Sequence, residues 1–189
     1  MTDLRQQPTV GVMGSARLPA SDEHRQRLTG LALRLGHAIA EHHCVLVTGA
    51  TTGFPHIISC AARERGAFSI GISPALSKAE HLSQYSLPID GADVFIYTGF
   101  GLKGRNVINV RSSDIVIIFG GELGTLNEFT IAYDERKVIG VLEGTGGVAE
   151  RILEISKLSS RRGSGEIVFE KEPETLIDRC LNVFHKQAP

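Results

Sequence analysis

The sequence has no stretch in which basic residues gather. Its 20 Lys and Arg stand against 21 Asp and Glu, for a formal charge of −1. No cationic stripe is available to neutralise a nucleic-acid backbone, so sequence-nonspecific DNA or RNA binding is not expected. Cysteine is scarce as well: the three residues Cys44, Cys60 and Cys180 form no C-x-x-C pair. That argues against a disulfide framework, a zinc site or a redox motif, and it fits a reducing cytoplasm. The opening MTDLRQQPTV lacks the apolar core of a signal peptide, and nothing later approaches the roughly 20 apolar residues of a membrane span. Secretion and membrane insertion are therefore not expected. Internal repeats and low-complexity tracts are missing too. What is there is an ordinary folded composition, 189 residues with 42% hydrophobic and 22% charged, read as one domain over 1–189 with residues 1–8 flexible.

Short β-rich apolar runs alternate with segments of helical periodicity, the pattern of βαβ units on a parallel sheet. Strands are expected at 9–14, 44–48, 68–73, 93–98, 114–119, 138–142 and, more weakly, 166–169. Leu28, Leu31, Leu35 and Ile39 recur at spacings of three and four, which marks one apolar face of a helix. Further helices are expected over 55–65, 105–112, 126–134 and 148–158, and Leu176, Ile177, Cys180, Leu181 and Phe184 make a closing amphipathic helix. Residues 74–91 show no clear periodicity and read as a long surface loop bordering a ligand. The architecture predicted is α/β, a Rossmann-like doubly wound and mainly parallel sheet of about seven strands with helices on both faces. In such sheets the ligand sits at the carboxyl ends of the strands.

The loops at those ends carry the chemistry. The first strand is followed by Gly14 and Ser15, a tight turn with a hydroxyl, though without full G-x-G-x-x-G spacing. The second runs into Thr48, Gly49, Ala50, Thr51, Thr52 and Gly53 ahead of Pro55, a loop that offers amides and hydroxyls to an anion at a helix start. The fifth runs into Gly120, Gly121, Glu122, Leu123, Gly124, Thr125 and, three residues on, Glu128. Its glycines permit close backbone approach, and Thr125 stands at the expected helix start. Glu128 then has two readings, a functional carboxylate or a capping-box partner of Thr125. Lys103 and Arg105, after the fourth strand, bring positive charge to the same end. A sixth-strand turn, Glu143 to Gly147, adds further glycine and threonine.

Other candidates read as structural. His37, His42 and His43 lack the i, i+4 spacing of a metal pair, so no metal site is expected. His56 lies close to the inferred ligand. The three cysteines read as core residues, and Asp114 as a group that orders a strand entrance.

The pattern Gly120-Gly121-x-x-Gly124-Thr125-x-x-Glu128, preceded by Gly104-Arg105-Asn106 and Ser113-Asp114, resembles the SLOG superfamily of Rossmann-like proteins. Within it, residues 10 to about 151 look like the molybdenum-cofactor carrier family, whose relatives include the LOG phosphoribohydrolases. Those enzymes cleave the N-glycosidic bond of nucleoside 5′-monophosphates and carry Pro-Gly-Gly-x-Gly-Thr-x-x-Glu with an upstream arginine. Laid on this chain without gaps, the proline falls on Gly120 and the second glycine on Glu122, while Gly124, Thr125 and Glu128 match and Arg105 takes the arginine's place. The resemblance implies a cytoplasmic protein binding a phosphorylated small molecule, with molybdenum cofactor or a nucleotide as ligand and no cofactor required. If the chain is a hydrolase, it implies that Gly121, Gly124 and Thr125 hold the 5′-phosphate, Glu128 activates water or stabilises an oxocarbenium-like centre, and Arg105 positions the substrate. A nucleotide-signal sensor is a further alternative. The lysine decarboxylase label often attached to such relatives would need pyridoxal phosphate on a lysine, for which no motif is present. Relatives pair through the helices at 105–112 and 126–134, which implies a homodimer or a multiple of one.

Overall fold

The computed structural model describes residues 7–158 and 165–187; most of the N-terminal segment read as flexible lies outside them. In chain order the elements are β1 (Thr9–Gly14), α1 (Asp22–Glu41), β2 (Val45–Thr48), α2 (Phe54–Glu64), β3 (Ser69–Ser73), α3 (Lys78–Ser83) and β4 (Val94–Tyr97), then α4 (Gly101–Arg111), β5 (Ile115–Phe119), α5 (Leu123–Asp134), β6 (Val138–Leu142), α6 (Ile152–Ser156), β7 (Ile167–Glu170) and α7 (Pro173–Gln187). The strands form one seven-stranded sheet of order β4-β3-β2-β1-β5-β6-β7, and every pairing is parallel. This is the Rossmann-like doubly wound fold expected.

The apolar runs explain which strands lie inside. All five residues of β5 and all five of β6 are buried, which their Ile/Val-rich sequences allow only with helices over both faces. On one face Leu28, Leu35 and Ile39 of α1, Ile58 of α2, and Leu176 and Cys180 of α7 pack against Val10, Leu46, Ile115 and Ile117. On the other, Val110 of α4, Phe129 of α5 and Ile152 of α6 pack against Val116, Ile118 and Val141. Asp114 orders the entrance to β5 as expected: Thr9 N and Oγ1 donate to its carboxylate at 2.9 and 2.8 Å. Among the described residues no helix is long and apolar enough to cross a membrane.

Five local expectations need correction. Residues 74–91 are not an unstructured loop, because they contain α3, whose N-cap Ser77 accepts from Glu80 N. His81 of that helix is fully buried, with Nδ1 2.8 Å from Ser73 Oγ and Nε2 2.9 Å from the Pro88 carbonyl, so it fastens the segment to β3. α4 begins at Gly101 rather than 105, and α5 at Leu123 rather than 126; the added turns take in Gly101 and Gly104 of α4 and Gly124 of α5, whose intrinsic preference argues for loop. The helix expected over 148–158 is instead a 3-10 turn, Gly147–Arg151, followed by the short α6. Finally, Cys44 and Cys180 are buried, but Cys60 is only half-buried.

Candidate functional site

β1 and β5 lie side by side, while the chain leaves β1 toward β2 on one side and β5 toward β6 on the other. The strand order reverses between them, which opens a crevice at their carboxyl ends. A cleft of about 270 Å³ lies there, walled by the loops after β1 and β2 and by the first turns of α4 and α5.

The glycine-rich turn after β5 stands behind one wall and sets where α5 begins. Gly120 and Gly121 take φ of 62° and 96°, left-handed values that side-chain-bearing residues adopt at a cost. Their amides are already used: Gly120 N donates to Thr145 Oγ1 and Gly121 N to Ser15 Oγ, both at 2.9 Å. Their carbonyls accept from Ala149 N at 3.1 Å and Val148 N at 2.9 Å. The turn after β6 therefore clamps the turn after β5. What remains for a ligand is the start of α5 itself, whose N-cap Glu122 makes no side-chain capping bond. The amides of Leu123, Gly124 and Thr125 have no acceptor one turn back in the helix, and Gly124 and Thr125 line the cleft.

The floor holds a buried ion pair. Arg105 and Glu128 are each 6% exposed, and Arg105 Nη1 donates to Glu128 Oε1 at 3.1 Å and to Asn106 Oδ1 at 3.2 Å. Asn109 Nδ2 donates to the same Glu128 oxygen at 3.2 Å and to Met13 Sδ at 3.0 Å. Glu128 thus makes no bond back to the Thr125 amide, and Thr125 sits inside α5 rather than at its cap, so the capping-box reading is set aside. Gly49 makes room for the arginine, since a Cβ there would lie 2.3 Å from its guanidinium carbon. Burial pushes the Glu128 carboxyl up from its ordinary value, against the pull of Arg105 and Asn109. Burial likewise lowers Arg105, against the pull of Glu128, but a guanidinium stays protonated at any working pH. Arg105 Nε and Asn109 Oδ1 are buried without a hydrogen-bond partner among the described residues. Exposed Arg17 and Lys103 put two positive charges on the rim, where Glu122 is the exposed carboxylate.

Of the residues singled out from sequence, Gly14, Ser15, Gly49, Thr51, Arg105, Gly124, Thr125 and Glu128 come together around the cleft. Thr48, Thr52, Gly53, Gly120 and Gly121 do not line it. Thr48 Oγ1 accepts from Ala50 N at 3.4 Å, and Thr52 Oγ1 donates to the Ala16 carbonyl at 2.9 Å. A Cβ on Gly53 would lie 2.3 Å from the Ser15 carbonyl oxygen, so these residues hold the loops to one another. Sequence reading missed Asn109. Its signal was the spacing of four from Arg105, which places both on one face of the helix already expected over 105–112.

The fold recurs in known proteins. The molybdenum cofactor binding protein of the phototrophic bacterium Rippkaea orientalis superimposes with a TM-score of 0.73 at 28% identity, over 94% of this chain and 98% of that one. The molybdenum cofactor carrier protein of Chlamydomonas reinhardtii gives a TM-score of 0.73 at 25% identity, over 95% and 99% of the two chains. An uncharacterised protein of Archaeoglobus fulgidus is 34% identical over 134 residues, 71% of this chain and 79% of that relative. The SLOG cluster4 family model matches residues 7–177, a span that includes every strand of the sheet and every wall of the cleft, and the chain therefore belongs to the SLOG cluster4 family.

Proposed function

We propose that the cleft binds a phosphate-bearing pterin or nucleotide without turning it over, and that the protein acts as a molybdenum-cofactor-carrier-type binding protein. One observation carries the reading. The uncapped first turn of α5 opens into the same cleft as Arg105, whose Nε is buried and unbonded. Helix amides and a guanidinium are the donors that an oxyanion recruits, while Arg17 and Lys103 add charge at the rim. About 270 Å³ is just below the roughly 300–1,000 Å³ usual for small-molecule sites, which suits a ligand of mononucleotide size. Two solved molybdenum-cofactor proteins share the fold over nearly their whole length. No cofactor is required by this reading, and the active unit is a homodimer formed through α4 and α5.

The test is calorimetric titration of nucleoside monophosphates, a phosphorylated pterin and inorganic phosphate into purified protein and into Lys103→Ala, with mass spectrometry of any co-purified ligand. Binding of a phosphate-bearing member that weakens in Lys103→Ala is the expected result. A folded protein that binds none of them refutes the reading.

A second reading is favoured by Glu128, a carboxyl with raised proton affinity beside a guanidinium on the cleft floor. That pairing suits hydrolysis of a nucleoside 5′-monophosphate, with Glu128 activating water or stabilising an oxocarbenium-like centre. Chromatography would then detect free base and ribose 5-phosphate, and Glu128→Gln would abolish their release. Binding without release leaves the carrier reading standing.

A further inference from the structure

Outside the cleft, α2 presents His56 and Cys60 four residues apart, and so on one side of the helix. His56 Nε2 lies 3.7 Å from Cys60 Sγ and 3.5 Å from Oδ1 of Asp90, in the segment ahead of β4. The three candidate ligand atoms all fall within 4.8 Å of one another. Bonds of about 2.0–2.3 Å to a tetrahedral ion set donor-to-donor edges of roughly 3.3–3.6 Å, close to the two shorter separations. Asp90 is not a stray surface carboxylate. Arg63 Nη1 donates to its carbonyl, and the Gly91 carbonyl beside it accepts from Ser59 Oγ and, at 3.2 Å, from Ser69 Oγ. These bonds tie the segment to α2 and β3 before any ion arrives. The side chains of His56 and Asp90 are 25% and 75% exposed, so an ion can enter from solvent.

Two other accounts fit less well. A Cys–His–Asp nucleophilic relay places thiol and carboxylate on opposite ring nitrogens, so that the acid orients the base toward the thiol. Here both face Nε2, and burial together with Asp90 pushes the Cys60 thiol up rather than down. A protonated His56 paired with Asp90 accounts for the carboxylate but leaves the thiol without a role. A cation at the point shared by one nitrogen, one sulfur and one oxygen uses all three.

We infer that His56, Cys60 and Asp90 form a binding site for a divalent, borderline-soft cation of the zinc type, with the fourth position open to water or a small ligand. The site lies outside the motifs read from sequence, because Asp90 joins the helical pair only through the fold. Pro55, next to His56, lines the ligand cleft, so an ion here braces one cleft wall. The inference is independent of the carrier and hydrolase readings.

Cobalt(II) titration of the tag-free, chelator-stripped full chain tests it by absorbance. A thiolate-to-cobalt charge-transfer band that saturates at one equivalent and is displaced by zinc is the expected result. Cys60→Ser should abolish the band. Asp90→Asn, at an exposed side chain, should weaken binding by about tenfold or more, at least the effect of losing an outer-shell partner. Thermal melting confirms that each variant is folded, and Glu128→Gln should bind cobalt unchanged. No charge-transfer band, or one undiminished in folded Cys60→Ser or Asp90→Asn, overturns the assignment.

Discussion

Arg105 and Glu128 show why a favourable distance is not by itself a stabilising one. Both groups are more than nine-tenths buried, and taking two charges out of water offsets much of what their attraction returns. Deleting one side chain is worse, because the groups that bonded to it then stay buried and unsatisfied. Arg105→Met and Glu128→Leu are each expected to cost about 3 kcal/mol, the lower end of the usual range because the cleft admits water. The double variant should unfold close to the parent while losing the phosphate-bearing ligand, and denaturant melts of the four proteins check this as a double-mutant cycle. The pH dependence follows from the same pair. Glu128 in the folded chain takes up its proton at a higher pH than an ordinary carboxyl near 4.5, so the native state binds more protons than the unfolded one in that window. Its contribution is therefore most favourable at low pH and is lost as pH rises through the raised value. Measured against Glu128→Gln, in which the other carboxyls titrate as before, the parent should gain stability as pH falls toward 4.5. A flat or inverted difference would contradict the assigned direction.

Among the elements, the turns after β1, β5 and β6 act as one clamp, and the Ser15 hydroxyl, expected from sequence to meet a ligand, bonds within it. Ser15 Oγ accepts the Gly121 amide and Thr145 Oγ1 the Gly120 amide. Ser15→Ala should destabilise the chain by about 1–3 kcal/mol, the cost of a buried donor left unsatisfied. It should also weaken ligand binding, because the start of α5 loses its anchor, and calorimetry with the melt reads both. Thr145→Val should behave alike, although it lies outside the cleft. The order of the strands and of the longer helices was legible because β5, β6 and the apolar faces of α1 and α7 announce themselves by composition and period, whereas the six-residue α3 was read as loop. The start of α5 was not. A threonine followed three residues later by a glutamate imitates a capping box, whereas the turn at Gly120 and Gly121 begins the helix at Leu123. Of the site, Arg105, Glu128 and the glycine-rich turn were legible by residue type. Asn109 shares a helix face with Arg105, but as an uncharged residue outside the glycine-rich loops it was missed until the fold set it beside Glu128.

At the scale of the whole molecule, Phe100 and Leu102 at the start of α4 and Leu123 at the start of α5 are exposed, at 66%, 51% and 76%. If the proposed homodimer forms through these helices, light scattering should give twice the mass of one chain, and Leu123→Glu should reduce it toward one if that face is covered. A single-chain mass in the parent would count against the pairing. By itself the sequence determined the parallel α/β architecture, because strands buried on both faces must be apolar throughout and their connections must be helical. It also determined which loops meet at the carboxyl end of the sheet. Only the tertiary structure decided which hydroxyls and amides are spent within the clamp, that Arg105 faces Glu128 across the floor, and that Asp90 stands beside His56 and Cys60. Those facts depend on contacts between segments far apart in the chain, which no local period or spacing encodes.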